Sequence, residues 1–324
     1  MAKLPNLDYA AEAERICERL RDVTFNSLRR RGLVVAMSGG IDSSASVALA
    51  VRALGADKVF GLLLPERDSS GEASKLGRLL AEHLGVRYVL QDISQTLEAI
   101  GCYAAQDEVL RKVLPGFGPE WKFKLVLSTA MGGKVGITRV VAHDPEGRQH
   151  EQRLTAADYL QIVAATNFKQ RIRKTLEYFH ADRLHYAVVG TPNRLEYDQG
   201  FFVKNGDGAA DVKPIAHLFK SHVYGMAKFL GLPAAIVDTT PTTDTFSLSQ
   251  GQDEFYFGLP YPQMDLALWH FNAGRSAAEL AQELGCEVAV AEQRYENIRV
   301  KRRTTSYLHA APVLVVPVPE IDLG

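Results

Sequence analysis

The chain has few cysteines, and none of them lie close together. Its 324 residues include three, Cys17, Cys102 and Cys286, and no CxxC pair. This spacing is typical of a reduced chain with ordinary thiols, so a cytoplasmic protein is expected. None of the nine histidines lies in a recognisable catalytic pattern with Ser43, so a Ser-His-Asp hydrolase is not predicted.

Charge of one sign and long apolar runs are also lacking. Lys and Arg together number 37 and Asp and Glu number 38, which gives a net charge of −1. This balance gives no reason to expect nucleic acid or an anionic membrane as a partner. No apolar stretch is long enough to span a membrane, and residues 1–20 are too polar for a signal peptide. With 46% hydrophobic residues, the composition is that of a globular protein whose length allows one large domain or two, and a single domain over residues 1–324 is the prediction.

The most informative segment is Ser38-Gly39-Gly40-Ile41-Asp42-Ser43-Ser44, which follows the apolar run 33–37. The order of an apolar run, a Gly-Gly turn and an Ala-rich stretch up to Leu54 predicts a strand, a loop and a helix. A helix N-terminus favours an anion, and glycines let the backbone approach phosphate oxygens. Asp42 would repel a bare phosphate, so it is better explained as a magnesium ligand beside one.

No Lys follows these glycines, so the segment is not the phosphate loop of kinases and GTPases. It resembles instead the SGGxDS loop of the ATP pyrophosphatases, which bind the pyrophosphate end of ATP and transfer AMP to a substrate. A Gly-Gly turn without a function is the alternative.

Apolar segments alternate with helical patterns along much of the chain. The predicted strands are 33–37, 58–64, 87–90 and 184–190, and the predicted helices between them include 74–84, 95–113 and 157–179. This alternation predicts an α/β fold with a doubly wound, mainly parallel sheet and flanking helices. Ligands bind such sheets outside the carboxyl ends of the strands. The Ser38 loop, residues 65–67 and Gly190-Thr191 should therefore converge on one crevice.

Two regions break this alternation. Residues 115–155 contain an apolar run at 134–141, a turn at 144–147 and a charged stretch at 148–154, which together predict a β-hairpin insertion. Residues 221–324 predict a helical C-terminal part. Its last segment, 308–319, is apolar and rich in proline, which is more typical of a docking tail than of a helix.

A long loop dense in Gly, Asp and Lys follows the fourth predicted strand. It contains GTPNRLE at 190–196 and GFFVKNGDGAAD at 200–211. A solvated surface loop is one interpretation, but connections in compact domains are usually short. Loops held by a rigid scaffold often carry the chemistry, so this loop is a candidate functional region.

Taken together, these motifs resemble the NAD synthetase family of the ammonia-dependent type, within the ATP pyrophosphatase superfamily. The resemblance extends from about residue 34 to residue 301 outside the insertion, and the order of the motifs makes it specific. They are the SGGIDS loop, LLLPERDSS at 62–70, NFKQRIR at 167–173, GTPNRLE, GFFVKNGDGAAD, Lys220 and PTTD at 241–244. The resemblance implies an adenine nucleotide alpha hydrolase-like fold. It also implies ATP-dependent amidation of deamido-NAD to NAD through an acyl-adenylate, with release of AMP and pyrophosphate.

The resemblance also implies which residues hold ATP and the metal. Asp42 and Glu196 match positions that bind Mg²⁺, and both are hard oxygen ligands. The positions that match ATP contacts are Ser38, Gly39, Gly40, Asp42, Ser43, Ser44, Thr191 and Thr242. Lys204 and Lys220 match catalytic lysines that contact phosphate and the reacting carboxylate, and a solvated surface charge is the alternative for each.

Further residues match the substrate and ammonia sites. Asp207, the third expected catalytic residue, and Asp211 resemble carboxylates near ammonia and the nicotinate side of the substrate, where a carboxylate could accept a proton from ammonium. Asn167 and Arg171 match substrate contacts one helical turn apart. The alternative is an exposed basic stripe formed by residues 169, 171, 173 and 174.

A C-terminal basic run that includes Lys301 matches a segment that closes over the substrate in the family. Val300 stands where the family often has His. Because an acyl-adenylate hydrolyses easily, the site must exclude water. A lid is therefore expected from residues 204–220 and this basic segment.

The resemblance implies small-molecule partners and a homodimer. Because the SGGIDS loop begins early in the sequence, no nitrilase-like glutaminase domain is expected, and the expected nitrogen source is free ammonia or ammonia from a separate glutaminase. Two other functions stay open. A related ATP pyrophosphatase that amidates a different carboxylic acid is favoured by the insertion and by Val300. A non-catalytic nucleotide-binding regulator is disfavoured by the presence of Asp42, Glu196 and the two lysines.

Overall fold

The computed structural model describes residues 4–127, 138–239, 246–248 and 260–321. Its named helices and strands follow in chain order. They are α1 (Tyr9–Asp22), β1 (Leu33–Ala36), α2 (Ile41–Leu54), β2 (Val59–Leu63), α3 (Gly71–Leu84), β3 (Arg87–Leu90), α4 (Ser94–Ala99), α5 (Cys102–Val113), β4 (Lys122–Leu127), β5 (Thr138–His143), β6 (Gln149–Arg153), α6 (Ala156–Leu184), β7 (Ala187–Val189), α7 (Arg194–Gln199), α8 (Lys220–Phe229), α9 (Ala234–Val237), α10 (Tyr261–Asn272), α11 (Ala277–Leu284) and α12 (Val288–His309).

Four parallel strands form the central sheet in the order β3-β2-β1-β7. In β1, Val34 pairs with Phe60 of β2 on one side and with Val188 of β7 on the other. β2 is buried along its whole length, as expected for a parallel sheet whose two faces are both covered. The predicted doubly wound parallel sheet is therefore confirmed.

Alternate residues of β1 face two different apolar clusters. Leu33 belongs to a cluster that includes Leu49 of α2 and Met226 of α8. Val34 belongs to the opposite cluster, which includes Tyr103 of α5 and residues of α6. A third cluster joins α7, α10, α11 and α12, so the C-terminal helical part has an apolar core of its own.

Two predicted elements differ from the observed ones because of left-handed residues. The helix predicted over 95–113 is divided into α4 and α5, since Gly101 has a φ of 74°. The helix predicted over 157–179 continues to Leu184, and His185, with a φ of 56°, ends it. The following strand, predicted over 184–190, is consequently only the three-residue β7.

The insertion is a three-stranded antiparallel sheet, β4-β5-β6, so the prediction of a hairpin alone was incomplete. The predicted turn does join β5 to β6, and the Asp144 carboxylate fixes it by accepting a bond of 2.8 Å from the Arg148 N–H and one of 2.9 Å from His150. Residues 134–137 of the predicted strand lie outside the described residues. β4 is the strand that the prediction lacks.

The C-terminal part is helical, as predicted, and ends in an extended segment. Val313 and Val315 of this segment are 89% and 99% exposed. A role for it in docking stays a prediction. Within the part of the chain that the structure describes, no helix combines the length and apolar character needed to cross a membrane.

Candidate active site

A cleft of about 910 Å³ opens at the carboxyl ends of β1, β2 and β7. Its walls include the loop 38–43, residues 62–65 and the loop 189–192, and α6 forms a further side. The predicted convergence of the strand ends is confirmed for the Ser38 loop, Pro65 and Gly190-Thr191, whereas Glu66 and Arg67 do not line the cleft. The volume suits a ligand of nucleotide size, and this edge of a parallel sheet is where such ligands bind.

The loop after β1 is held by hydrogen bonds within itself. The carbonyl oxygen of Gly40 accepts the Ser43 hydroxyl at 3.0 Å and the Ser44 hydroxyl at 2.9 Å, and the Ser38 and Ser43 hydroxyl oxygens are 3.1 Å apart. Gly39 has a φ of 76°, and a Cβ added there would lie 2.7 Å from the Cβ of Leu76. Glycine is therefore required at this point, and the loop leads directly into the N-terminus of α2, where the first backbone N–H groups of a helix can receive an anion.

Asp42, Asn193, Glu196 and Lys220 form one connected group at the cleft. The Lys220 ammonium donates to Oδ2 of Asp42, while the Asn193 amide donates to Oδ1 of Asp42 at 3.1 Å. The backbone N–H of Asn193 donates to Oε2 of Glu196 at 3.1 Å. Asn193 also caps α7, since its side-chain oxygen accepts the N–H groups of Leu195 and Glu196. One buried asparagine thus connects the two predicted metal-binding carboxylates.

The charges of this group are strongly coupled because they are buried. Lys220 is 1% exposed and Glu196 is 8% exposed. Burial raises the pKa of Glu196 to about 8, and the neighbouring Asp42 carboxylate adds to that rise. Burial alone would lower the pKa of Lys220, but the carboxylates of Asp42 and Glu196 outweigh it and the pKa is raised. The site therefore holds a cationic lysine between acidic groups, one of which favours its neutral form.

α7, which carries Glu196, is held by α12. Arg302 of α12 makes two bonds to the Asp198 carboxylate, of 2.7 and 2.6 Å. Gly200 ends α7 with a φ of 69°, and a Cβ there would lie 2.3 Å from the Cβ of Thr305. Because α7 has only six residues, these contacts with a distant helix are needed to fix it.

Lys204 also contacts α12. Its ammonium donates to the carbonyl oxygens of Tyr307 at 2.8 Å and Ala310 at 3.0 Å, and lies 4.5 Å from the centre of the Tyr307 ring. The carbonyl end of a helix attracts a cation. Lys204 lines the cleft, so the structure places this residue at the site while its charge is bound to the last turn of α12.

Asp207 and a buried ion pair occupy the neighbouring wall. The Asp207 carboxylate accepts the Val203 N–H at 2.7 Å, and the enclosing walls raise the pKa of Asp207 by desolvation. Lys174 and Glu177 are both buried and are joined by a bond of 2.7 Å. Burial raises the pKa of Glu177 despite the nearby Lys174 charge, and Asp207 contributes to the rise. Asp207 thus interacts electrostatically with both Glu177 and Glu196.

Asn167 and Arg171 of α6 both line the cleft. Arg171 donates to the carbonyl oxygen of Lys204 at 3.3 Å. The alternative of an exposed basic stripe is wrong for Lys169 and Lys174, which are 1% and 5% exposed.

Lys169 instead belongs to a buried ionic cluster at the end of β2. Its ammonium donates to Glu66 at 3.1 Å and to Asp68 at 2.6 Å, and the Tyr103 hydroxyl donates to Glu66 at 2.8 Å. These bonds satisfy charges that burial would otherwise make costly. The cluster fixes the segment that follows β2.

Of the remaining predicted residues, some line the cleft and others do not. Thr191 lines the cleft, whereas Ser44, Asp211 and Lys301 lie away from its lining within the described residues. Asp211 accepts the Val188 N–H at 2.7 Å and the Tyr178 hydroxyl at 3.2 Å, which attaches the loop to β7. Burial lowers the pKa of Lys301 to about 8. Thr242, with the rest of PTTD at 241–244, lies outside the described residues.

Two buried residues of the site were missed by sequence reasoning. Asn193 has a local signal, since Asn followed three residues later by Glu is a capping box. Asp265 of α10, which binds the start of α8, has no local signal because only the fold brings those helices together.

Comparisons with known proteins identify the family of the chain. The sequence profile of the family described as NAD synthase matches residues 12–113 and 135–306. An NH(3)-dependent NAD(+) synthetase of Rhizobium meliloti (strain 1021) is 56% identical over 317 residues, which cover 98% of this chain and 95% of that protein. One of Mesorhizobium japonicum is 53% identical, with 97% and 99% covered.

A solved structure shares the fold at low identity. The NMN synthetase from Francisella tularensis has a TM-score of 0.66 and 21% identity, with 95% of this chain and 99% of that chain covered. At this identity the likeness concerns the fold alone.

Proposed function

The chain belongs to the NAD synthase family, and we propose that it amidates deamido-NAD through an acyl-adenylate formed in the cleft. It is a ligase that uses ATP and ammonia to make NAD. In the first step a carboxylate oxygen of deamido-NAD attacks the α-phosphorus of ATP and pyrophosphate leaves. Ammonia then attacks the acyl carbon, AMP leaves with the bonding electron pair, and the nitrogen loses a proton.

The connection of Asp42, Asn193, Glu196 and Lys220 beside the N-terminus of α2 carries this proposal. The loop 38–43 and α2 would hold the ATP phosphates through backbone N–H groups and serine hydroxyls, with Thr191 beside them. Lys220 would then face the charge that develops when the α-phosphorus is attacked. A site for a neutral ligand would have no use for a buried cation held at a phosphate-binding loop.

Asp42 and Glu196 fit Mg²⁺. Both are carboxylates at the cleft, and the pKa of Glu196 is raised to about 8 by burial and by the neighbouring Asp42 charge, which supports a place for a cation there. A hard divalent cation prefers such oxygen donors and would remove that imbalance. When bound, Mg²⁺ would neutralise part of the charge of the departing pyrophosphate.

We assign Lys204 to a phosphate contact that it makes after leaving the carbonyl groups of α12. This movement would couple the loop 204–220 to the C-terminal basic segment with Lys301, which together would exclude water from the acyl-adenylate. The bonds from Lys204 to Tyr307 and Ala310 support the coupling, because they join the two parts of the proposed lid.

Asp207 is assigned to ammonium, from which it would accept a proton before the attack on the acyl carbon. Its raised pKa supports this role, because a carboxylate with a higher pKa is a better base. Asn167, Arg171, Asp211 and Lys301 are the proposed contacts to deamido-NAD. Asn167 and Arg171 have the stronger support, since both line the cleft.

We further propose a homodimer that acts in the cytoplasm and takes ammonia free or from a separate glutaminase. The exposed side chains of Leu160, Phe168 and Phe179 on α6 support association, because a second copy could cover them. The three free cysteines fit a reducing compartment.

Product analysis tests the proposed reaction. Purified protein with ATP, Mg²⁺, an ammonium salt and deamido-NAD is expected to yield NAD and AMP in a one-to-one ratio, identified by mass spectrometry. AMP formed with another carboxylic acid but not with deamido-NAD would assign the chain a different acid. If no AMP forms with deamido-NAD or with any other carboxylic acid tested, the non-catalytic regulator is the remaining function.

A further inference from the structure

α8 begins at the proposed catalytic lysine, and its N-terminus is held from another helix. The residue at the N-cap is Phe219, whose side chain has no atom that can accept a backbone N–H. The carboxylate of Asp265 on α10 caps the start of α8 instead. It accepts the N–H groups of Lys220 at 3.2 Å and Ser221 at 2.8 Å, and the Ser221 hydroxyl at 2.6 Å.

An aspartate destabilises the fold at this buried position unless its carboxylate accepts hydrogen bonds. Asp265 is 0% exposed and lies between Met264 and Leu266, which belong to the apolar core of the C-terminal helices. Burial of a carboxylate destabilises the fold unless hydrogen bonds compensate for the loss of water. An apolar residue would serve the packing of α10 alone, so the carboxylate is explained by the start of α8.

α10 also contacts the other end of Lys220. The ammonium lies 5.1 Å from the centre of the ring of Tyr261, the first residue of α10. Lys220 is thus held by α10 at its backbone through Asp265 and at its charge through Tyr261, while the ammonium reaches Asp42 on α2. Fixing both ends of a long side chain removes most of its rotational freedom before substrate binds.

We infer that Asp265 is a positioning residue, which fixes the first residue of α8 so that the Lys220 ammonium is directed at the reacting phosphate. The inference rests on the proposed function of Lys220 in adenylation. It gives the C-terminal helical part a role in the chemistry, although Asp265 itself touches no substrate.

The first test is Asp265→Asn, which keeps the size of the side chain and replaces one acceptor oxygen by a donor. The rate of adenylation alone is measured as exchange of pyrophosphate into ATP, with deamido-NAD present and ammonia absent. We expect this rate to fall about 10- to 100-fold, as for a misplaced catalytic group, while the KM values for ATP and deamido-NAD change less than about threefold. The matched control is Leu268→Ala, a buried change in the same helix, which is expected to lower the melting temperature and leave the exchange rate within about twofold of wild type.

A double-mutant cycle with Lys220→Ala separates the inference from the function that it rests on. If Asp265 acts through Lys220, Asp265→Asn causes little further loss when Lys220 is already absent. Equal losses in both backgrounds would overturn the inference alone. An unchanged exchange rate in Lys220→Ala would overturn the proposed role of Lys220 and the inference with it.

A milder variant covers the case in which Asp265→Asn does not fold. Ser221→Ala removes only the hydroxyl donor and leaves both backbone bonds to Asp265 in place. Exchange is expected to slow about two- to fivefold, less than in Asp265→Asn, because the two backbone bonds still position Lys220. Exchange at the wild-type rate would count against the positioning role.

Discussion

The loop after β1 and the loop after β7 both bring functional residues to the cleft, but they are held in different ways. In the first loop the Ser38, Ser43 and Ser44 hydroxyls bond within the loop. In the second, Asn193 bonds to Asp42 and Lys204 bonds to α12, which are far away in the chain. The hydroxyl bonds of the first loop are therefore local, whereas the second loop is bonded to residues that are distant in the chain.

This difference separates two parts of the proposed reaction. A locally determined loop suits a ligand group that is always the same, such as the phosphates of ATP. A loop held by distant elements can respond to what those elements do, as a lid requires. Substitutions in the two loops test this difference.

The largest effect is expected from Gly39→Ala in the first loop. The new Cβ would lie 2.7 Å from the Leu76 Cβ and 2.8 Å from the Ala73 carbonyl oxygen, in a left-handed conformation. We expect a loss of about 2 kcal/mol in the free energy of unfolding, measured in urea, and a KM for ATP raised about tenfold. Gly71→Ala is the control, because the space around Gly71 is open. Similar behaviour of the two variants would show that the first loop is not fixed by its glycine.

A smaller loss of stability, together with a weaker hold on the metal, is expected from Asn193→Ala in the second loop. Asn193 and Ser276 both begin capping boxes, at α7 and α11, so alanine at either should cost about 1 kcal/mol of stability. Only Asn193 also holds Asp42. The Mg²⁺ concentration for half-maximal activity should rise about tenfold in Asn193→Ala, as for residues that orient metal ligands, and stay at the wild-type value in Ser276→Ala. Equal Mg²⁺ requirements in the two variants would show that Asn193 does not orient a metal ligand.

The smallest effect is a pH dependence of stability. The pKa of Glu196 is about 8 in the folded chain, above its ordinary value near 4.5, so folding takes up a proton between these values. The free energy of unfolding of the metal-free protein should therefore fall as pH rises through this window. Thermal melting should give a lower melting temperature at pH 8 than at pH 5, and Glu196→Gln should reduce this difference. A shift of the same size in Glu196→Gln would assign the dependence to another group.

Much of the fold could be predicted from sequence because its signals are local. β3 has the predicted bounds, and Gly85 ends α3 in the left-handed conformation as expected. β4 was missed because it becomes a strand by pairing with β5, and the sequence alone does not place β5 beside it. The break at Gly101 was missed because a single glycine inside a helical pattern is often tolerated.

The sequence predicted many residues of the site but only some of the contacts between them. The sequence identified Lys204, but it could not show that the ammonium binds the carbonyl end of α12, since that contact spans about a hundred residues. Lys169 looked like one of several surface cations, and only the fold pairs it with Glu66 and Asp68. Long-range pairs of this kind are decided by topology rather than by local pattern.

The attachment of α7 to α12 has a consequence for how the chain acquires its site during synthesis. The loop 38–44 and the parallel sheet are complete once β7 has been made, because β7 is the last strand of that sheet. The short helix with Glu196 obtains Arg302 and Thr305 only from the last helix. A nascent chain folds from its N-terminus, so a prematurely ended one would retain the phosphate loop and lack a fixed second carboxylate. The proposed site is thus complete only once α12 has been made.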